Sequence, residues 1–102
     1  MTERHVVCKL TDIQDKRGKA FELAGRRISV FRDGDRVFAL GDSCSHIGAS
    51  LEEGIVADGT VVCPWHGARF SLENGEPFGP PARGGVGCWP CRVEGEDVVV
   101  EA

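Results

Sequence analysis

Cys44-Ser45-His46 and, after sixteen intervening residues, Cys63-Pro64-Trp65-His66 are the two stretches on which the reading of this chain turns. Each supplies one thiolate and one imidazole. Two mixed pairs on two loops suit a centre that grips two metal ions differently, with soft thiolates on one iron and imidazoles on the other. A structural zinc site can use the same four ligand types, but its usual spacing pairs Cys with Cys and then His with His. The order here differs, so a zinc-binding module is the rival and not the first reading. The candidate ligands are Cys44, His46, Cys63 and His66.

Outward from these motifs the chain reads as all-β. Apolar runs of four to six residues, rich in Val, Ile and Phe, recur between glycine-containing turns without a sustained helical period. Val6 to Leu10, Ala20 to Leu23, Arg27 to Phe31 and Arg36 to Leu40 are candidate strands, and Ala24-Gly25 and Asp33-Gly34 supply turns that imply a meander. Cys91 to Val93 and Val98 to Glu101 flank Glu94-Gly95-Glu96-Asp97, which predicts a terminal hairpin. Between these halves, from about Gly41 to Arg83, the pattern loosens, with short strands expected at Val61 to Cys63 and Ala68 to Leu72 and turns at Asp58-Gly59 and Asn74-Gly75. The candidate ligands lie in this insert. It ends in Phe78-Gly79-Pro80-Pro81, where adjacent prolines remove two donors and predict a stiff loop.

The chain has 102 residues, within the usual range for one domain, and no composition shift marks an interior boundary. One domain, residues 1–102, is therefore expected, with a cluster-binding subdomain of about 41–83 inserted in a basal β-domain. A core of this size is marginal, so a metal centre joining two loops would help to hold it. Twelve basic against sixteen acidic residues give a formal charge of -4, which argues against nucleic acid or an anionic membrane as the main partner. The stretch Met1 to Cys8 holds no apolar run long enough for a signal peptide or a spanning helix, so a cytoplasmic location is expected. Five cysteines, an odd number with no secretion signal, favour metal ligation over a disulfide scaffold.

With its C-x-H, gap of about sixteen residues and C-x-x-H, the chain resembles the Rieske family. The resemblance extends to Gly48, to Gly67 and to Gly79-Pro80-Pro81, which looks like the family's proline loop over the cluster. It implies a Rieske-like fold, an antiparallel β-sandwich or barrel base carrying one 2Fe-2S cluster. It also implies that Cys44 and Cys63 bind the inner iron and His46 and His66 the outer, more exposed one. High-potential members of respiratory complexes add a cysteine to each loop, where this chain has Ala49 and Trp65, and place a Ser and a Tyr where it has Ala68 and Phe70. Without those hydroxyls and the disulfide, a potential toward the lower end of the class is expected, and a respiratory role is not.

The function implied is a one-electron carrier between a flavoprotein ferredoxin reductase and a terminal Rieske oxygenase of the aromatic-ring dioxygenase type, and not itself an enzyme. A chain this short leaves no room for the catalytic domain of such an oxygenase. A monomer that docks transiently is expected, through the exposed edges of His46 and His66 rimmed by Ile47, Trp65, Pro80 and Pro81. The alternatives are a small subunit of an assimilatory nitrite reductase-like enzyme and the structural zinc-binding module.

The remaining candidates read as structural. His5 is expected to be an ordinary surface or strand residue and Cys8 a small buried hydrophobe. Cys88-Trp89-Pro90-Cys91 has the C-x-x-C form, but no second C-x-x-C completes a four-thiolate site and no βαβ pattern surrounds it. Gly84-Gly85-Val86-Gly87 lacks the full phosphate-binding fingerprint and reads as a connection.

Overall fold

The computed structural model of the chain describes residues 3–42, 51–63, 69–78 and 86–102. Among these residues ten strands follow one another: β1 (Arg4–Lys9), β2 (Gly18–Leu23), β3 (Arg26–Asp33), β4 (Arg36–Gly41), β5 (Ile55–Ala57), β6 (Thr60–Val62), β7 (Arg69–Ser71), β8 (Cys88–Trp89), β9 (Cys91–Glu94) and β10 (Asp97–Glu101). Single 3-10 turns cover Leu10–Asp12 and Leu51–Glu53. The strands form three antiparallel sheets, in the orders β1-β10-β9, β2-β3-β4-β8 and β5-β6-β7. None of the described helices is long and apolar enough to cross a membrane.

The meander is the second sheet. Ala24 and Gly25 join β2 to β3 with both residues at positive φ, 51° and 76°, and Asp58 and Gly59 join β5 to β6 in the same way at 51° and 75°. Two central residues of that kind match the right-handed twist of the strands they connect. In β3 four consecutive residues, Ile28, Ser29, Val30 and Phe31, are all buried. Neighbouring side chains of a strand point to opposite faces, so such a run requires cover on both. Ile28 and Val30 join Val37, Ala39, Val98 and Val100 in one core cluster, against the first sheet. Phe31 and Leu40 join Leu51, Val56, Val61, Cys63, Phe70 and Leu72 in the other, against the third sheet.

The expected meander is present, and the structure adds pairings that no local turn announced. β1 pairs with β10, where the ends of the described chain meet: Glu3 N–H donates to the Ala102 carbonyl at 2.8 Å, and Ala102 N–H returns a bond to the Glu3 carbonyl at 3.0 Å. The expected strand at Cys91 to Val93 is present as β9, and a two-residue strand, β8, precedes it. Cys88 and Trp89 pair with Leu40 and Ala39 of the second sheet, whereas Cys91 pairs with Val100 of the first, so Pro90, with no N–H to give a ladder, sits at the corner where the chain changes sheets. β5, three residues long, was not expected. Boundaries also move: Leu10 opens a 3-10 turn, Cys63 follows β6, and Leu72 lies in the turn after β7 although it is buried.

Gly75 has φ +74°, and a Cβ there would stand 2.2 Å from the Val86 carbonyl oxygen. At Gly25 (φ +76°) nothing lies within 4 Å of that position. Gly25→Ala should therefore cost about 1–2 kcal/mol from its left-handed backbone alone. Gly75→Ala should cost more, since overpacking typically adds about 1–3 kcal/mol. Thermal unfolding of the two variants checks the order; equal shifts in Tm would contradict the packing of Gly75 against Val86.

Candidate metal centre

Of the four candidate ligands, Cys63 lies within the described residues; Cys44, His46 and His66 lie outside them, in segments 43–50 and 64–68. The expected docking rim of Ile47, Trp65, Pro80 and Pro81 also lies outside, as do Gly48, Ala49, Gly67, Ala68 and Gly79. Cys63 follows the last residue of β6 and is fully buried, in the same cluster as Leu51, Val61 and Phe70. Phe70, opposite Val61 on β7, is fully buried as well.

The ends of the three segments are described, and they converge. Segment 43–50 leaves from Asp42 and returns at Leu51, whose N–H donates to the Asp42 carbonyl at 2.5 Å. Segment 64–68 spans the tip between β6 and β7, beyond the pair Val62 and Arg69. Segment 79–85 starts at Phe78, whose N–H donates to the Arg69 carbonyl at 2.9 Å, and ends at Val86, whose N–H donates to Gly75 at 2.9 Å. Gly54 brings the first two bases together. A Cβ there would meet the Val62 carbonyl oxygen at 2.8 Å and the Leu51 carbonyl oxygen at 3.0 Å. The closeness of backbone at this corner demands glycine.

Sequence reasoning missed the polar residues beneath the first segment. Asp42, 4% exposed, accepts from Arg27 Nε at 2.6 Å through Oδ2, while Ser29 Oγ and, at 3.3 Å, Glu52 N–H donate to its Oδ1. Glu52 accepts from Ala20 N–H at 2.7 Å and from Arg27 at 3.4 Å. The Asp42 carboxylate holds the Arg27 guanidinium above its ordinary pKa, by the hydrogen bond first and the charge second. A signal was present: Ser29 breaks an apolar run, and Asp42 stands two residues before Cys44.

Residues 3–90 match the family described as Rieske [2Fe-2S] domain. This chain belongs to the Rieske family. The ferredoxin subunit of the 3-phenylpropionate/cinnamic acid dioxygenase of Escherichia coli (strain K12) is 34% identical over 100 residues, 96% of this chain and 92% of that protein. Human apoptosis-inducing factor 3 is 32% identical over 96 residues, and this Rieske chain spans 16% of its length. Among solved structures, the ferredoxin of carbazole 1,9a-dioxygenase from Nocardioides aromaticivorans IC177 has a TM-score of 0.88 at 30% identity, covering 95% of each chain. A complex of reduced oxygenase and oxidized ferredoxin in carbazole 1,9a-dioxygenase gives 0.84 at 31% identity, covering 95% of this chain and 91% of that one. A protein described as an NADH-dependent nitrite reductase small subunit from Mycobacterium tuberculosis gives 0.90 at 25%, covering 100% of this chain and 96% of that one.

The Rieske family's cofactor is a 2Fe-2S cluster, and the all-β Rieske fold of this chain carries it. The described residues fit that group. A cysteine excluded from solvent in an apolar cluster suits a thiolate on the inner iron, and Leu51, where the segment holding Cys44 and His46 ends, belongs to the same cluster. Among the described residues no cluster of three or more His, Cys, Asp or Glu could hold a metal ion. The relatives matched over nearly their whole length include the ferredoxin subunit of a dioxygenase and the ferredoxin of carbazole 1,9a-dioxygenase.

The C-x-x-C stretch does not form a dithiol pair. Cys88 is exposed on β8, whereas Cys91 turns into the core shared by the first two sheets, where burial first and the charge of Cys8 second push its thiol from 9.0 up to about 12. Cys8 packs on the same core, and burial raises its thiol too. His5 lies opposite Val100 in β1, with Nε2 buried and without a hydrogen-bond partner among the described residues.

In the cluster-loaded protein a thiol reagent at pH 8 should label Cys88 fast and Cys8 and Cys91 slowly, and Cys88→Ser should remove the fast phase. Because the unfolded chain deprotonates Cys91 from about pH 9 and the folded one only near 12, stability contributed by the buried neutral thiol is complete below 9 and declines as pH rises toward 12. Denaturant titrations at pH 8 and 10.5 check this, and Cys91→Ala should flatten the difference.

Proposed function

We propose that this chain takes single electrons from a flavin-dependent ferredoxin reductase and passes them to a terminal Rieske oxygenase of the aromatic-ring dioxygenase type. The observation that carries the reading is the near end-to-end similarity to a dioxygenase ferredoxin subunit. A ferredoxin seated on its oxygenase, among the similar structures, supports the direction of transfer. Cys44 and Cys63 hold the inner iron in this reading, and His46 and His66 hold the outer one, at the end where the three segments converge. Residues 1–102 act as one Rieske domain, with residues 41–83 as its cluster-binding part. The carrier is a cytoplasmic monomer that docks transiently by the edge of the two imidazoles.

The second reading, a small subunit of a nitrite reductase-like enzyme, is favoured by the fold similarity to such a subunit over the whole chain. Copurification separates them. A free carrier leaves the column alone, whereas a fixed subunit brings a larger haem- and flavin-containing chain in constant ratio.

The potential belongs toward the low end of the class range of about -150 to +300 mV. Phe70 is buried beside Cys63 in one cluster and has no hydroxyl to donate toward a sulfur. Anaerobically purified protein should be brown and give a Rieske EPR signal after dithionite, and Phe70→Tyr should raise the potential. His66→Ala should abolish the Rieske signal and His5→Ala should leave it intact. A colourless or redox-silent wild-type protein, or equal effects of the two histidine changes, would overturn the assignment.

A further inference from the structure

We infer that Asp42 is the positioning residue of the first ligand segment, and that its contact with Arg27 and Ser29 sets the geometry of Cys44 and, through it, the cluster's reduced-state spectrum and potential. The inference rests on the assignment of Cys44 as a ligand and adds to it a reason for the loop's placement.

Asp42 is the point where β4 gives way to the segment, and both its main chain and its side chain are tied down. Its N–H donates to the Arg27 carbonyl at 3.2 Å, and its carbonyl accepts from Leu51 at the far end of the segment. Its carboxylate is nine-tenths buried or more and satisfied by donors from two directions. Arg27 and Ser29 come from β3, and the Glu52 N–H comes from the turn that receives the segment. Arg27 then reaches Glu52, whose other oxygen accepts from Ala20 on β2. The outgoing and returning ends of one ligand segment are therefore held by a single charged group anchored on the middle sheet. Cys44 is two residues further on in the sequence, within about 7 Å of chain reach of Asp42.

A buried carboxylate holds one orientation only while its donors are in place, and a conformational shift follows when they are removed. Partners that orient metal ligands in this way typically change affinity by about ten- to a hundred-fold when lost. The exposed pair of Arg92 and Glu94, at 2.6 Å, has the same chemistry on the sheet β1-β10-β9 and ties no candidate ligand. It serves as the control.

The test uses the cluster-loaded protein with Arg27→Gln, Arg27→Lys, Asp42→Asn and the control Arg92→Gln. The readouts are the EPR spectrum of the reduced form, the midpoint potential and the rate of cluster loss, alongside far-UV circular dichroism and Tm. Arg27→Gln and Asp42→Asn should alter the EPR signal, shift the potential and release the cluster about tenfold faster. Arg27→Lys should restore part of each effect, and Arg92→Gln should change none of them. If Asp42→Asn does not fold, Arg27→Gln carries the test, because the Arg27 side chain is 53% exposed and its change leaves the core intact. A lowered Tm with wild-type EPR spectrum, potential and release rate would overturn the inference, leaving Asp42 as a stabilising residue only. Cys44→Ser distinguishes the two layers. Loss of the Rieske signal in Cys44→Ser beside unchanged Asp42→Asn sinks this inference alone, whereas a Cys44→Ser protein that keeps the signal sinks the ligand assignment and the inference with it.

Discussion

The structure depends on one strand being buried from both sides. β3 places Ile28 and Val30 against the sheet formed by the two ends of the described chain and Phe31 against the sheet that bears the candidate metal centre. Apolar burial of this kind is worth about 25 cal/mol per Å² of surface removed from water. Either outer sheet alone would leave one face of the middle sheet wet. The basal strands and the metal-bearing strands are thus coupled through a shared layer, and each stabilises the other.

That coupling positions the chemistry. The three segments around the candidate centre have their ends on backbone hydrogen bonds between described residues, and Gly54 allows two of those bases to approach at backbone contact distance. Loops carry ligands well when a rigid scaffold sets where they start and stop. Here the scaffold is the third sheet on one side and the Arg27-Asp42-Ser29-Glu52 contacts on the other. A buried charge so placed is strongly costly to unpair, which makes it a stiff anchor. Cys63 needs no such device, since it follows directly on β6 and sits among apolar neighbours.

Much of this was legible in the amino-acid order. The turns at Ala24-Gly25 and Asp58-Gly59 show in the sequence because few residues accept positive φ. The β2-β3-β4 meander follows from short apolar runs between glycine-containing turns. The short strands β5 and β8 were not read from the sequence, since each is fixed by pairing with a strand elsewhere in the chain, β5 with β6 and β8 with β4. The pairing of β1 with β10 was hidden as well, since the partners stand at opposite ends of the sequence and no local signal links them.

For the site, the sequence by itself determined the candidate ligand types, their spacing and hence the family, because mixed thiolate and imidazole pairs on two loops are a chemical statement that needs no coordinates. It also determined that Phe70 has no hydroxyl to offer. Only the tertiary structure decided that Cys88 and Cys91 part company at Pro90, one exposed and one turned inward, since which sheet a strand joins depends on distant partners. Likewise only the fold could bring Arg27, Ser29, Asp42 and Glu52 together, residues whose contacts span ten to twenty-five positions. Ligand identity is a property of side chains, whereas ligand placement is a property of the packed backbone that holds them.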